Sequence, residues 1–287
     1  MPPLKAKWIS ISLIWKKTKD AKTKTHRCTP VVGFAGPPGS TVARPVILKY
    51  SGTWETLNKC ASFDIDDFIW DFSISTINNC ALISIYYFDF YQMTDTCLKR
   101  STSLTPLPAS GKNLLYDNSN RLYFGASNFS LYQHNGTSWV QWSAVVPEEI
   151  SGTGSLIILF DENNTCYVMR TSGGDAYPRV WKTTTGSTWS PVGSEPLCSF
   201  TTPVIDLVYS EDKHLYAAYS FNPGSAGLYI YRLNLLNSKW EQYPSSAGNA
   251  PMTDYSNSCF LQCHNGACFV IYQNTSGKIE TWRYQPQ

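Results

Sequence analysis

Residues 202–246 read TPVIDLVYSEDKHLYAAYSFNPGSAGLYIYRLNLLNSKWEQYPSS. Pro203 to Tyr209 has the apolar patterning of a strand, and Ser210-Glu211-Asp212-Lys213 is a polar turn. His214 to Ser220 is a second strand, Asn222-Pro223-Gly224-Ser225 a loop, and Gly227 to Leu233 a third strand. Asn237-Ser238 then turns the chain into a fourth, Lys239-Trp240-Glu241-Gln242-Tyr243. Four antiparallel strands on short turns within about 45 residues are the unit of a β-propeller, one blade.

The same order recurs upstream. Between residues 152 and 196 the strands are Ser155 to Phe160, Thr165 to Arg170, Pro178 to Thr183 and Ser187 to Pro191, with a turn at Asp161 to Asn164. Between 111 and 147 they are Asn113 to Tyr116, Arg121 to Ala126, Phe129 to His134 and Ser138 to Trp142. There Asn135-Gly136 is a hairpin signal, because both turn positions favour positive φ. Five tryptophans, Trp8, Trp54, Trp139, Trp189 and Trp240, each open a strand-like stretch, at steps of 46, 85, 50 and 51 residues. With the 85 taken as two steps, the period is about 48 residues and the chain holds about six units.

The remaining units are assigned on this period. Residues 63–108 give strands at Asp67 to Ile74, Cys80 to Phe88, Phe90 to Thr94 and Leu98 to Leu104. Residues 13–57 give Pro45 to Tyr50 and Thr53 to Leu57, while Thr18 to Ser40 is too rich in Lys, Gly and Pro to assign. Residues 257–287 give only three strands, Asn257 to Cys263, Cys268 to Gln273 and Lys278 to Tyr284. A fourth-strand pattern without predecessors stands at Lys7 to Ile11. An open ring would leave unpaired edges. The reading is therefore a single all-β domain over 1–287, a six-bladed β-propeller of four-stranded antiparallel blades, with residues 7–11 completing the C-terminal blade.

Composition agrees with an all-β chain: 14% aromatic and 15% charged residues, with no apolar repeat at helical spacing over three turns. The most apolar run, Trp8 to Trp15, is far short of the roughly 20 residues of a membrane-spanning helix, so the expectation is a soluble protein with no membrane span. Nine cysteines, mostly inside apolar strand-like runs, resemble buried thiols more than a disulfide framework and favour a reducing, cytoplasmic compartment. Glycosylation-type sequons at Asn128, Asn135, Asn163 and Asn274 point the other way.

The net charge of +2 divides unevenly. Residues 1–27 carry Lys5, Lys7, Lys16, Lys17, Lys19, Lys22, Lys24 and Arg27 against Asp20, a net +7, and the remainder carries 15 basic against 20 acidic residues, a net −5. Such a cluster attracts polyanions, but single-strand nucleic-acid binding also uses aromatics interleaved with the charges. The expectation is a solvated loop between strands, with nucleic acid set aside as a partner.

Several constellations bear on chemistry. Cys259, Cys263, His264 and Cys268 have spacings open to zinc, yet His264-Asn265-Gly266-Ala267 reads as a hairpin turn that sets Cys263 opposite Cys268, for a cross-strand disulfide or quiet packing. Asp64, Asp66, Asp67 and Asp71 lack the glycine turn and terminal Glu of a calcium loop. No phosphate loop, His-Glu-x-x-His or nucleophile elbow occurs, so the expectation is no metal, no cofactor and no catalytic residues.

Two turns, Tyr132 to Trp139 and Lys182 to Trp189, place Gly three residues before Trp and resemble the sialidase Asp-box hairpin. His134 and Thr184 stand where its aspartate would be, and eight scattered arginines show no motif that gathers three of them. A degenerate sialidase-like glycoside hydrolase is therefore the weaker alternative.

Arg121-Leu122-Tyr123-Phe124 with Tyr132 and Gly136, and Tyr272-Gln273-Asn274-Thr275-Ser276-Gly277-Lys278-Ile279, resemble the blade repeats of the six-bladed fungal fucose-binding lectins. The resemblance implies an arginine on the second strand, an acid on the third and an aromatic ring from the neighbouring blade. Arg121 occupies the arginine position, Gln133 is near the acid position, and Trp189 is the ring from the next blade. Elsewhere the arginine position holds His214 or Phe269, Glu280 lies one residue from the acid position, and Trp240 is a further platform ring. Gln for an acid keeps an acceptor and loses the charge. The leading functional expectation is a non-enzymatic lectin binding a glycan, fucosylated if the resemblance holds. A scaffold that binds a protein partner on one propeller face is the alternative.

Overall fold

The computed structural model describes residues 14–19, 26–35, 45–50, 54–56, 58–59, 69–75, 80–85, 89–93, 97–100, 108, 111–126, 130–143, 156–170, 180–193, 204–210, 212–220, 228–243, 259–264, 267–273 and 279–284, with most side chains from residue 108 onward. All regular elements among them are strands, in six sheets. The first sheet is β1 (Ile14–Lys19), β2 (His26–Ala35), β3 (Pro45–Tyr50) and β4 (Trp54–Thr56). The second adds β5 (Asn58–Lys59) to β6 (Ile69–Ser75), β7 (Cys80–Ile85), β8 (Asp89–Met93) and β9 (Cys97–Arg100).

The third sheet holds β10 (Gly111–Tyr116), β11 (Leu122–Ala126), β12 (Leu131–His134) and β13 (Trp139–Ser143). The fourth is β14 (Leu156–Phe160), β15 (Cys166–Arg170), β16 (Val180–Thr183) and β17 (Ser190–Val192). The fifth is β18 (Val204–Tyr209), β19 (Leu215–Ser220), β20 (Leu228–Asn234) and β21 (Lys239–Tyr243). The sixth is β22 (Cys259–His264), β23 (Ala267–Gln273) and β24 (Ile279–Tyr284).

Strands pair antiparallel in chain order, except that β5 runs parallel to β9 at the edge of the second sheet. First strands of successive sheets lie side by side: β6 by β10, β10 by β14, β14 by β18, and β18 by β22. The second to sixth sheets thus fan out from a shared row of strands and stack face to face. Burial follows from that geometry. All five residues of β11 are buried, because a second strand has a neighbouring sheet on both faces. β13, at the edge of its sheet, leaves Val140 and Gln141 exposed.

Alternate side chains of one strand therefore enter two different cores. In the fifth sheet Tyr216, Ala218, Ile230 and Tyr243 pack with Leu261, Cys263, Cys268 and Val270 of the sixth. Leu207, Leu215, Ala217 and Leu233 pack on Met169, Val180 and Val192 of the fourth. Leu131 of the third sheet meets Ile158, Cys166 and Val168 of the fourth. This period of two across a doubly covered sheet is why near-continuous apolar runs and alternating runs both read correctly as strands.

Three expectations need correction. The basic segment is not a plain loop: β1 and β2 pair through it, Lys16 opposite Thr29 and Lys17 opposite Cys28, so charged side chains sit on a hairpin whose threonines and valines favour strand. The second sheet has a fifth strand, absent from the sequence reading because Asn58–Lys59 is two residues of polar chain. Cysteine usage is mixed: Cys263 and Cys268 pair across β22 and β23 in a disulfide, while Cys166 is a buried free thiol whose proton affinity burial raises. The strand read at residues 7–11 and the acidic run Asp64–Asp67 lie outside the described residues, whereas Asp71 stands in β6.

Candidate functional site

The described loops lie at one end of the sheets, where first strands turn into second and third into fourth. In the third sheet the turn is Asp117-Asn118-Ser119-Asn120. Asp117 Oδ1 accepts from the backbone N–H groups of Ser119 and Arg121, at 2.9 and 2.8 Å. Asn120 closes the turn with φ 61°, a left-handed conformation that Asn tolerates better than most residues. In the fourth sheet Asp161 accepts in the same way from Asn163 and Thr165, and Asn164 has φ 62°. The fifth sheet has Ser210 in that place and Lys213 at φ 65°. The aspartate fixes the turn because it satisfies two backbone donors that the hairpin leaves over.

The two aspartate anchors, and Asp212 within the turn of the fifth sheet, each also take one side chain from the second strand or its entry. Arg121 Nε donates to Asp117 Oδ2 at 2.6 Å, Tyr167 to Asp161 at 3.1 Å, and Tyr216 to Asp212 at 2.7 Å. Burial is the main reason that the phenols are hard to ionise, Tyr123 reaching about 12 and Tyr167 and Tyr216 shifting upward. Asp117→Ala is expected to cost about 2 kcal/mol, since it deletes three hydrogen bonds to a buried carboxylate while Arg121 can turn to water. Urea unfolding of the variant measures this, and a change under 0.5 kcal/mol would show the turn to be held by its backbone alone.

Adjacent turns touch. Asn118 donates from its backbone to Asn164 Oδ1 at 2.9 Å and from its side chain to the Asp161 carbonyl, and Asn164 donates to Ser119 at 2.9 Å. Glu162 reaches Lys213 at 3.5 Å, and its carboxyl is held below its usual range chiefly by a hydrogen bond from Tyr209. The result is a continuous polar rim over three sheets.

The second turn of each sheet differs more. Asn135 Oδ1 accepts from the N–H groups of Thr137 and Ser138, and His134 Nδ1 accepts from Gly136 at 3.2 Å. In the fourth sheet Thr183 Oγ accepts from Thr185 and Gly186, at 3.2 and 3.0 Å. Of the two residues standing where an Asp-box aspartate would be, His134 thus accepts one turn N–H, while in the fourth sheet the neighbouring Thr183 takes the turn donors. In the fifth sheet Glu241 Oε1 accepts from Asn234 at 2.7 Å and Asn237 at 3.2 Å, and Asn234 Oδ1 accepts from the N–H of Leu236. This ordered turn carries Leu235, 57% exposed, and Leu236, 99% exposed.

Arg121 precedes β11, is half exposed and is bonded to Asp117. Gln133 lies on β12 opposite Tyr123 and Val140, so it stands two positions along the ladder from Arg121. Trp189 is partly buried against the core that holds Leu131 and Ile158, and its Nε1 donates to Ser143 of the third sheet at 3.3 Å. Trp240 is partly buried against the core between fourth and fifth sheets. His214 is tied to Asp212, its Nδ1 at 2.7 Å from the Asp212 carbonyl. Glu280 pairs with Tyr272 in the ladder, and its side chain is outside the description.

Sequence reading did not single out the anchors Asp117 and Asp161, although the spacing Asp-x-x-Asn repeats in both turns. It also passed over Arg232 and Asp206, which no local pattern marks.

No protein-family model matches the chain, and no curated protein matches it in sequence. Solved structures do match it. A fungal lectin of Aleuria aurantia, described as a six-bladed β-propeller with a novel fucose recognition mode, is 12% identical at TM-score 0.58, over 89% of this chain and 87% of the lectin. YCF48 bound to D1 peptide is 12% identical at TM-score 0.53, over 90% of this chain and 75% of YCF48. A fungal alcohol oxidase of the AA5 family in complex with copper is 8% identical at TM-score 0.57, over 96% of this chain and 73% of the oxidase. At such identities the likeness is one of fold, and it agrees with sheets fanned around their first strands: the chain is an all-β propeller built mainly of four-stranded antiparallel sheets.

Proposed function

We propose that the protein is a non-enzymatic binding module, a six-bladed propeller in which residues 7–11 complete the last blade, and that it recognises a segment of another protein at the edge formed by its turns. The observation that carries the reading is Leu236, 99% exposed on a turn held by Asn234, Asn237 and Glu241. These bonds hold the turn's backbone, so a partner that covers the leucine orders little main chain, and the burial favours association. At the same position the third sheet places Asn135-Gly136, so the leucines are not demanded by the hairpin.

The glycan reading has less support from the geometry. A sugar platform needs an open indole face, and the tryptophans whose side chains are described, Trp139, Trp142, Trp181, Trp189 and Trp240, are all partly buried. Among the described residues the exposed large apolar side chains are Val140, Leu235 and Leu236. A hydrolase needs a free carboxylate pair, whereas Asp117 and Asp161 are both engaged in turns.

The test is a paired binding assay. Wild-type protein is expected to retain a defined protein partner from its native extract, and Leu235→Ser/Leu236→Ser is expected to weaken that complex by about tenfold or more, as loss of two buried leucine contacts implies. Glycan-array binding that the double substitution leaves unchanged and free sugar competes away would overturn the reading in favour of a lectin. The basic hairpin is probed by charge reversal rather than deletion, because removing Lys16 to Lys19 would remove β1 itself.

A further inference from the structure

Arg232 stands on β20, on the face of the fifth sheet that meets the sixth: Ile230, two residues earlier, and Tyr243 on β21 both enter that core. Its guanidinium lies over the Tyr243 ring at 4.9 Å. Tyr216, opposite it on β19, is fully buried and stacks edge-on against Tyr243 with centroids 5.2 Å apart. The residue itself is partly exposed, yet its Nε is buried and has no hydrogen-bond partner.

The acids on neighbouring positions have other partners. Glu241, directly across the ladder, gives Oε1 to Asn234 and Asn237, and these bonds chiefly hold its carboxyl below the usual range. Asp212 accepts from Tyr216 at 2.7 Å and faces His214. The Arg232 charge also acts on Glu241 across the ladder, but among the described residues the Arg232 side chain forms no ion pair and its Nε no hydrogen bond.

A cationic N–H enclosed without an acceptor is costly, and a fold that keeps one holds a donor in reserve. The flat face is covered by an aromatic ring, which leaves the edge of the guanidinium for a planar oxygen pair. We infer that Arg232, backed by Tyr243 at the edge between the fifth and sixth sheets, is a recognition site for a carboxylate. It deepens the reading above, because Arg232 lies three residues from Leu235 on the same strand end, about 10 Å along the chain, so one partner segment can present an apolar residue and an acidic one together. The site itself does not require that reading: a carboxylate brought to this edge of the guanidinium meets the same donor.

The experiment follows the Nε–Hε resonances of arginine in isotope-labelled wild-type protein, with the Arg232 signal assigned by its disappearance in Arg232→Lys. Acetate, N-acetylneuraminic acid and a glutamate-containing peptide are titrated separately at constant ionic strength, with chloride as the matched control. A saturable shift of the Arg232 signal with acetate supports the site, and the two larger probes separate a sugar acid from an acidic peptide as its source. Arg232→Gln, checked for folding by its amide spectrum, is expected to weaken the preferred probe by about tenfold or more, the scale of a charge-assisted hydrogen bond. Shifts that are linear and equal for acetate and chloride would overturn the site. The partner assay with the leucine variants is independent of that outcome, so either idea can fail alone.

Discussion

Gly186→Ala is expected to destabilise the protein by about 3 to 4 kcal/mol, well beyond Gly136→Ala at about 1 kcal/mol. Gly186 has φ +78°, and a Cβ there would lie 2.7 Å from the Trp142 carbonyl oxygen and 2.9 Å from two of its ring carbons. Neither can give way easily. The carbonyl belongs to β13, and the indole is braced edge-on by Tyr123 at 5.2 Å and by Phe160 at 6.3 Å. Gly136 has φ +101° with nothing within 4 Å of an added Cβ, so its substitution incurs only the backbone cost. Equilibrium urea unfolding of both variants separates the two contributions. Equal losses for the two would mean that the approach of the fourth sheet to Trp142 is not a close contact.

The second large effect is on pH dependence. Asp206 sits on β18 at a bulge in the ladder and reaches across to β22, accepting from the backbone N–H of Leu261 at 2.9 Å and, on its other oxygen, from that of Leu207. Burial pushes its carboxyl up to about 7 against the partial relief of these two bonds. A carboxyl whose folded pKa exceeds its unfolded value near 3.9 contributes stability that is full below about pH 4 and is lost as pH rises through about 7. Between pH 5 and pH 8 this one group should remove about 3 kcal/mol. Asp206→Asn should flatten that window while giving up one of the two acceptors. His134, whose pKa burial lowers, acts in the opposite direction and is common to both proteins, so it cancels in the comparison. Parallel stability profiles from pH 5 to pH 8 for wild type and Asp206→Asn would refute the assignment.

Much of the architecture could be read from residue order. The twelve strands of residues 111–243 fall within a few residues of the expected positions, since each combines an apolar strand pattern with a short polar turn, which puts Asn or Gly at positive φ in the third and fourth sheets and Lys213 and Ser238 there in the fifth. The N-terminal hairpin was hidden because five lysines and a proline mask the threonine and valine signal of β1 and β2, and pairing across the ladder outweighs local composition. Cys263 and Cys268 were placed opposite each other by the spacing of their turn.

The candidate site was far less legible. Trp189 and Trp240 mark strand starts in sequence, and the same rings serve as wedges between sheets, a distinction that depends on which face of the strand meets a neighbour. Arg232 and Asp206 gain their meaning from contacts with the sixth sheet or from the lack of a contact, and neither is written into nearby residues.

The ties between neighbouring turns differ at the two described junctions: paired asparagines join the third and fourth sheets, and a lysine with a glutamate joins the fourth and fifth. Interchangeable modules would share one connector. Here each junction works as a distinct lock, so a circular rearrangement that preserves neighbours should be tolerated, whereas swapping the order of two modules should produce chains that assemble incorrectly or associate with one another.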